Sequence, residues 1–556
     1  MNVSIVNIPF DEELLPVRTL KFGKFTCLYE HGRIRYVKAG DVELIRMIYF
    51  AVRDSNWNTP AYTIENESID LQDNGFTISY TAYHSLNDVF YCSRVAITAT
   101  ENSITFSVKG ESLSNFLRNR IGICVLHPIK ECRGRHVIIE RPDGTEYESN
   151  FPDLVSPHQP FKEIKKIHCK IDPDVTVVLD FHGDVFETED QRNWTDSSFK
   201  TYSTPLDIPF PVQVSKGDFL EQRVDLSLTS NLTSTERMPD FVGEKKLLFP
   251  RIGYCAGDDK LSENDIKLLS ELPFDHYRVD LSLNDAHWKE RLDAGMSNAI
   301  KLKTALELIL FLDENNQTEL ENFIAATNWD CSIISSILLL HPKHRTTTND
   351  FLKMAYPRIK EHAPNIEVGY GTNGFFADLN RNRPTAESSF DFVSFAMTPQ
   401  VHASDTRSVL ENLENQHDLI QTAKSFSHGR KIHISPITFK IRTSPKHNNG
   451  LPGDYDPRQH SSLGALYTLQ TIKNLCEADR LTFYEVKGYR GILGEENGEE
   501  LSPTFGLLRT IKQFGPKWIV QQDGLEAPLA ALILENEQGT RLTFDCTDGR
   551  RKTKVQ

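Results

Sequence analysis

The stretch FDFVSFAMTPQVHASD, Phe390 to Asp405, decides how the chain is read. Phe392, Val393 and Phe395 are the aromatic and β-branched residues that suit a buried pleated surface. Within one turn the apolar run stops, and Thr398, Gln400, His402 and Asp405 follow. A buried strand that ends in hydrogen-bonding side chains is how an α/β barrel builds a site at the carboxyl ends of its strands. A single such event is also what any strand entering a solvated loop would show. Its recurrence along the chain is what gives it meaning.

Upstream and downstream of this stretch the same pattern repeats. RIGYCAG (251–257), HYRVDLSL (276–283), ALELILFL (305–312), SIISSILLLH (332–341), NIEVGYG (365–371), KIHISPITF (431–439) and RLTFYEV (480–486) read as buried strands. Most are followed by an amphipathic helix, as at His287–Lys303, Val409–Ser425, His460–Leu475 and Ser502–Phe514. Ser262 with Asp265, and Thr318 with Glu321, have the spacing of helix N-terminal caps. Eight strands over about 265 residues predict a (β/α)8 TIM barrel, with Phe390–Met397 as its sixth strand. A doubly wound sheet would place a Gly-rich phosphate turn after its first strand, and none is there.

From about Leu20 to Leu228 the texture differs. KFTCLYE, GRIRYVKA, FTISYTA, SITFSVKG and VTVVLDFHG alternate apolar and polar residues, separated by turns such as Asp73-Asn74-Gly75. Some fifteen short strands predict an N-terminal antiparallel β-sandwich. KWIVQQ, PLAALILENEQ and TRLTFDC at the other end predict a small C-terminal β appendage. The expected division is 1–244, 245–515 and 516–556. Two segments of the sandwich are out of character. ETEDQRNWTDSSFKTY (187–202) interleaves Trp194 and Phe199 with charges and amides, the chemistry of a sugar subsite. Edge protection against aggregation accounts for Glu187 and Glu189. In RNRIGICVLHP, Arg118 and Arg120 enter a strand that is otherwise core-like.

The 556 residues exceed one core, and 39% hydrophobic with 25% charged content is that of a globular protein. A net charge of −15 argues against nucleic-acid or anionic-membrane partners. No signal peptide or apolar span is apparent, and the nine cysteines never fall in CxxC spacing, so a cytoplasmic protein with free thiols is expected.

The strand ends supply a ring of candidates for a small polyhydroxylated ligand: Asp280, His341, Lys343, His344, Arg345, Thr372, Asn373, Asp378, Asn380, Arg381, Gln400, His402, Asp405, Ser435, Thr438, Glu485, Tyr489 and Arg490. A sandwich joined to a barrel suggests a retaining glycosidase, which needs two carboxyl groups about 5–5.5 Å apart. They commonly end strands 4 and 7, but strand 4 ends in His341-Pro342-Lys343 and strand 7 in Ser435-Pro436-Ile437-Thr438. Neither carries a carboxylate.

NRIGICVLHP, FPDLVSPHQPF, DQRNWTDSSFKTY, TPQVHASD, SPITFKIR and FYEVKGYRG together resemble the D-apionate lactonase family of bacterial apiose catabolism. The resemblance spans essentially the whole chain and implies opening of a five-membered sugar-acid lactone. Asn373-Gly374 departs from it, since an acidic residue is expected after strand 5. Roles follow from the chemistry: a base to activate water, donors for the tetrahedral oxyanion, and an acid for the ring oxygen. His402 held by Asp405 is the expected base, with Glu485 as the alternative. Arg192, Asn373 and Gln400 are the expected donors, and Asn193, Trp194 and Arg490 are expected to bind substrate. No G-x-S-x-G elbow is present, so direct attack by water is expected and no cofactor is required. A divalent metal on His341, His402 and Asp405 is the minor variant, because no tight ligand motif exists. Glycoside hydrolysis and non-catalytic sugar binding are the competing functions.

Overall fold

The computed structural model describes residues 3–7, 14–172, 175–230, 243–257, 260–312, 316–329, 333–344, 346–441, 455–494, 501–522 and 531–545. Two nine-stranded sheets make the N-terminal sandwich. One runs Phe161–Ile164, Phe186–Asp190, Ser198–Tyr202, Phe116–Pro128, Val42–Asp54, Arg33–Ala39, Phe25–Glu30, Arg18–Phe22, with Val212–Val214 on Phe116–Pro128. Its inner face packs on the second sheet through residues such as Ile48, Val52, Ile97, Phe106 and Leu179. Strict alternation, as in the buried-then-partly-buried pattern of Val175–His182, follows from one covered face and one wet face.

Phe186–Asp190 and Ser198–Tyr202 break that rule, because every residue in both strands is buried. Glu187 is 1% exposed and accepts from Tyr202 Oη (2.6 Å) and the Leu206 amide (2.6 Å). Glu189 is buried as well. Edge protection is therefore not what these acids do. Side chains of this block reach barrel residues, as when Arg192 pairs with Asp418 and Thr195 bonds the Thr398 carbonyl.

Eight parallel strands close the barrel: β1 (Arg251–Cys255), β2 (His276–Ser282), β3 (Ala305–Phe311), β4 (Ile334–Leu340), β5 (Glu367–Gly371), β6 (Phe392–Met397), β7 (Lys431–Ile437) and β8 (Arg480–Glu485). The even-numbered residues of β2 point inward, since Tyr277, Val279 and Leu281 join the apolar layer under the helices. Charged groups fill the amino-terminal end of the interior. Glu307 accepts from Ser435 Oγ at 2.7 Å and lies 3.6 Å from His433 and 3.8 Å from Arg480. His433 stacks on Phe392 with ring centres 4.0 Å apart. Burial holds its imidazole down at about 4, despite the adjacent Glu307.

The helices differ from expectation at two points. Helix Asn316–Ala326 starts before Thr318, which lies in its first turn instead of capping it. The single helix expected over Val409–Ser425 is two, Thr406–Glu411 and Gln416–Phe426. Their junction holds Asn412 and Asn415, whose side-chain amides bond Asp196 of the sandwich. The C-terminal strands Trp518–Gln522, Leu532–Glu535 and Arg541–Asp545 form a small sheet that also takes in Val3–Asn7 and Glu244–Leu248. Among the described residues no helix is long and apolar enough to cross a membrane, and no disulfide joins the seven cysteines.

Candidate active site

At the carboxyl ends of β2, β5 and β7, Arg278 ties the barrel interior together. Its guanidinium pairs with Asp280 (2.8 Å) and donates to Ser435 Oγ (2.9 Å) and Asn373 Oδ1 (2.5 Å). The side-chain oxygen of Asn373 is therefore committed to the protein. At the end of β8, Glu485 pairs with Arg490 at 2.9 Å. The pair lines a narrow cleft with Thr438, Lys440 and Gln459, and a neighbouring cleft of about 30 Å³ is lined by Asn373, Phe375, Thr398 and Thr438. Thr398 Oγ1 is buried there without a hydrogen-bond partner.

The loop after β6 makes the link to the sandwich. His402 Nδ1 is hydrogen-bonded to Asp196 Oδ2, and the Gln191 amide nitrogen lies 3.3 Å from the same ring atom. The other Asp196 oxygen accepts from Asn412 (3.1 Å), and the Asp196 carbonyl accepts from Asn415 (2.6 Å). Trp194 packs edge-on to His402 (6.1 Å) and Phe375 (5.1 Å), and the Arg381 guanidinium lies over its ring. The indole donates to Glu189 at 2.7 Å. Burial raises the Glu189 carboxyl, but Lys200, His402 and the indole outweigh it and hold it at about 2. His402 and Asp196 open on a cavity of about 350 Å³ between the domains. The sandwich contributes Arg33, Tyr49, Arg53 and Tyr62 to its lining, and the barrel contributes Ser404 and Asn412. Domain interfaces and volumes of about 300–1,000 Å³ are characteristic of small-molecule sites.

Several expected residues have other work. Asp405 does not hold His402. It caps helix Thr406–Glu411 through Ser408 (3.0 Å to the amide) and pairs with Arg35 at 3.2 Å. Burial raises its carboxyl, yet Arg35 and Ser408 keep it below the usual carboxylate range. Arg192 is wholly buried, pairing with Asp190 (2.8 Å) and Asp418 (2.9 Å) and donating to the carbonyls of 152–154, so it offers no donor to a ligand. Asn193 is buried between the Ser156 carbonyl and Asn380. Gln400 donates to the Phe439 carbonyl (2.8 Å) and Asp456 (3.0 Å). Arg120 is locked onto the carbonyls of Asn119, Pro205 and Ile208. His341, His402 and Asp405 do not form a metal-binding group, and among the described residues no cluster of three or more His, Cys, Asp or Glu does. Arg345 lies outside the described residues.

Sequence reading missed Asp196 as the partner of His402, and missed Arg35, Arg46 and Arg53 altogether. The signal for the arginines was the one noted at Arg120, a charge inside an apolar strand such as VELIRMIYFAVRD (42–54).

The architecture is a sandwich docked on a closed barrel, with an imidazole hydrogen-bonded to a carboxylate beside an interface cavity. The chain belongs to the D-apionate lactonase family: residues 7–231 match that family's N-terminal domain and residues 252–515 its TIM barrel domain. A D-apionate lactonase from Brucella anthropi is 28% identical over 534 residues, covering 90% of this chain and 88% of the relative. Among solved structures, a family 51 arabinofuranosidase from Xanthomonas axonopodis pv. citri matches 53% of this chain and 80% of its own at 10% identity and a TM-score of 0.41. A family 51 α-L-arabinofuranosidase from Bifidobacterium longum matches 55% and 82% at 11% identity and a TM-score of 0.38. At such scores neither likeness bears on the chemistry.

Proposed function

We propose that this chain hydrolyses the five-membered lactone of D-apionate to the open acid, with His402 as general base. Family membership across both domains supports the substrate class. The observation that carries the mechanism is the His402–Asp196 pair facing the interface cavity. With Nδ1 bound to Asp196, Nε2 is the nitrogen left to take a proton. Water loses that proton to Nε2 as its oxygen bonds the lactone carbonyl carbon, and the carbonyl electron pair moves onto oxygen. On collapse the ring C–O bond breaks, the imidazolium returns its proton to the ring oxygen, and the new acid ionises. The scheme needs only water and the chain's own side chains. Asp196 fixes the tautomer and stabilises the imidazolium. Glu485, paired with Arg490, is the alternative base, and Trp194 packs between Phe375 of the strand-5 loop and His402 of the strand-6 loop.

Glycoside hydrolysis has less support, because the residues that follow β4 and β7 are His341 and Thr438 instead of carboxylates. Acid release at constant pH from D-apionolactone, compared with aryl release from aryl pentosides, separates the two. Turnover of the lactone alone is expected; turnover of the glycoside alone overturns the reading.

A further inference from the structure

The cations of the interface cavity are not equivalent. Arg46 is held by Glu43 and, at 2.8 Å, by Glu414. Arg33 donates to Tyr62 Oη at 3.2 Å and lies 3.8 Å from Asp405. Arg53, partly exposed at the end of strand Val42–Asp54, makes one hydrogen bond, to the Trp57 carbonyl at 3.3 Å. Among the described residues no carboxylate lies within ion-pair distance of it. Its register partner on the neighbouring strand is Arg120, whose two terminal nitrogens donate to carbonyl oxygens and which, among the described residues, pairs with no acid. Like charges directly opposite each other on a sheet cost stability unless something compensates them. Guanidinium stays charged at any relevant pH and presents a fork that matches carboxylate geometry. Here an uncompensated guanidinium lines the same cavity as His402 and Asp196.

The geometry points to Arg53 as the sandwich residue that receives the lactone carbonyl oxygen and, after ring opening, the carboxylate of the product acid. This rests on the reading of the His402 cavity as the lactone site. Negative charge that appears on the carbonyl oxygen when water adds falls to Arg53. That oxygen and the one delivered by water, once the ring C–O bond has broken, form the carboxylate that partners its fork. Arg53 thereby fills the role that Arg192 cannot, and the N-terminal domain becomes a catalytic half of the site. The ligand class follows: a small hydroxylated lactone whose product is an aldonic acid, with the acid expected to inhibit by occupying Arg53.

Steady-state kinetics of Arg53→Gln and Arg53→Lys on D-apionolactone, with the open acid as inhibitor, test this. Loss of an oxyanion donor typically costs about 10²–10³-fold, so Arg53→Gln should lower kcat/KM by that factor. Inhibition by the acid should weaken by roughly tenfold or more, the scale of a charge-assisted hydrogen bond. Arg53→Lys should fall between, since a point charge cannot replace a bidentate fork. A parent chain inactive on the lactone refutes the underlying reading. An active parent with Arg53→Gln equal to it in kcat/KM and in acid inhibition refutes the role of Arg53 alone. If Arg53→Gln melts well below the parent, Arg53→Lys decides: several-fold losses in both measures support the role, and parental values overturn it.

Discussion

Asp196 and Asp405 both lie near His402 in the fold, yet only one of them touches it. Asp196 Oδ2 is bonded to Nδ1, whereas Asp405 is spent on Ser408 and Arg35. Asp196→Asn should therefore lower kcat by at least about 10²-fold with little change in KM, since an amide favours the wrong tautomer. Asp405→Asn should leave kcat within a few-fold of the parent and lower stability through the lost ion pair with buried Arg35, since asparagine caps a helix as well as aspartate does. Equal kcat losses in the two variants would contradict this assignment. At this scale the position of His402, in the loop just beyond the buried sixth strand, was legible in the sequence. Its partner was not legible. The nearest acid in sequence, Asp405, opens the following helix, and the acid in contact comes from more than 200 positions upstream. Arg192 misled for a similar reason: its charge signalled an interface, but burial beside Asp190 and Asp418 makes it a cross-link.

The strand-6 loop is held to the sandwich by charge. Arg35, wholly buried on strand Arg33–Ala39, pairs with Glu30 (2.6 Å), Asp405 (3.2 Å) and Glu411 (2.8 Å) and donates to Ser408. Arg407 returns the contact by pairing with Glu30 at 2.9 Å. The sandwich thus clamps the loop and helix that carry His402. Arg35→Met should cost about 3–5 kcal/mol, because it leaves several buried carboxylates without their cation. If the clamp positions His402, kcat should fall as well, and Arg35→Lys should recover part of both losses. A stable, fully active Arg35→Met, measured by denaturant unfolding and kinetics, would contradict the clamp. The barrel strands themselves were readable from their apolar runs. The break in the helix expected over Val409–Ser425 was not, since Asn412 and Asn415 leave the helical pattern only to meet Asp196 on another domain.

At the scale of the whole molecule, stability should depend on acid in a way fixed by three buried imidazoles. Burial pushes His84 to about 4, His127 to about 3 and His433 to about 4, from an ordinary value of 6.5. Each stays neutral when folded while the unfolded chain takes up a proton below 6.5, so their contribution is intact above 6.5 and is lost as pH falls toward 4. Glu43 opposes them, its carboxyl pushed up to about 7 by burial. His127→Asn removes one imidazole from this balance, and its Tm should fall less steeply than the parent's between pH 7 and 5. A steeper fall contradicts the sign. The order of sandwich, barrel and C-terminal strands could be read from alternation and period alone. That Val3–Asn7 and Glu244–Leu248 join the C-terminal sheet could not, because pairing partners far apart in sequence leave no local trace.

We propose that His402, oriented across the domain interface by Asp196, activates water to open a lactone. This is tested most directly by acid release from D-apionolactone at constant pH, comparing the parent chain, His402→Ala and Glu485→Gln. The parent should turn over, and His402→Ala should lower kcat by about 10²–10⁴-fold at similar KM, the cost of losing a positioned base. A His402→Ala that keeps most of the parental kcat while Glu485→Gln abolishes it would place the base on β8 and contradict the claim.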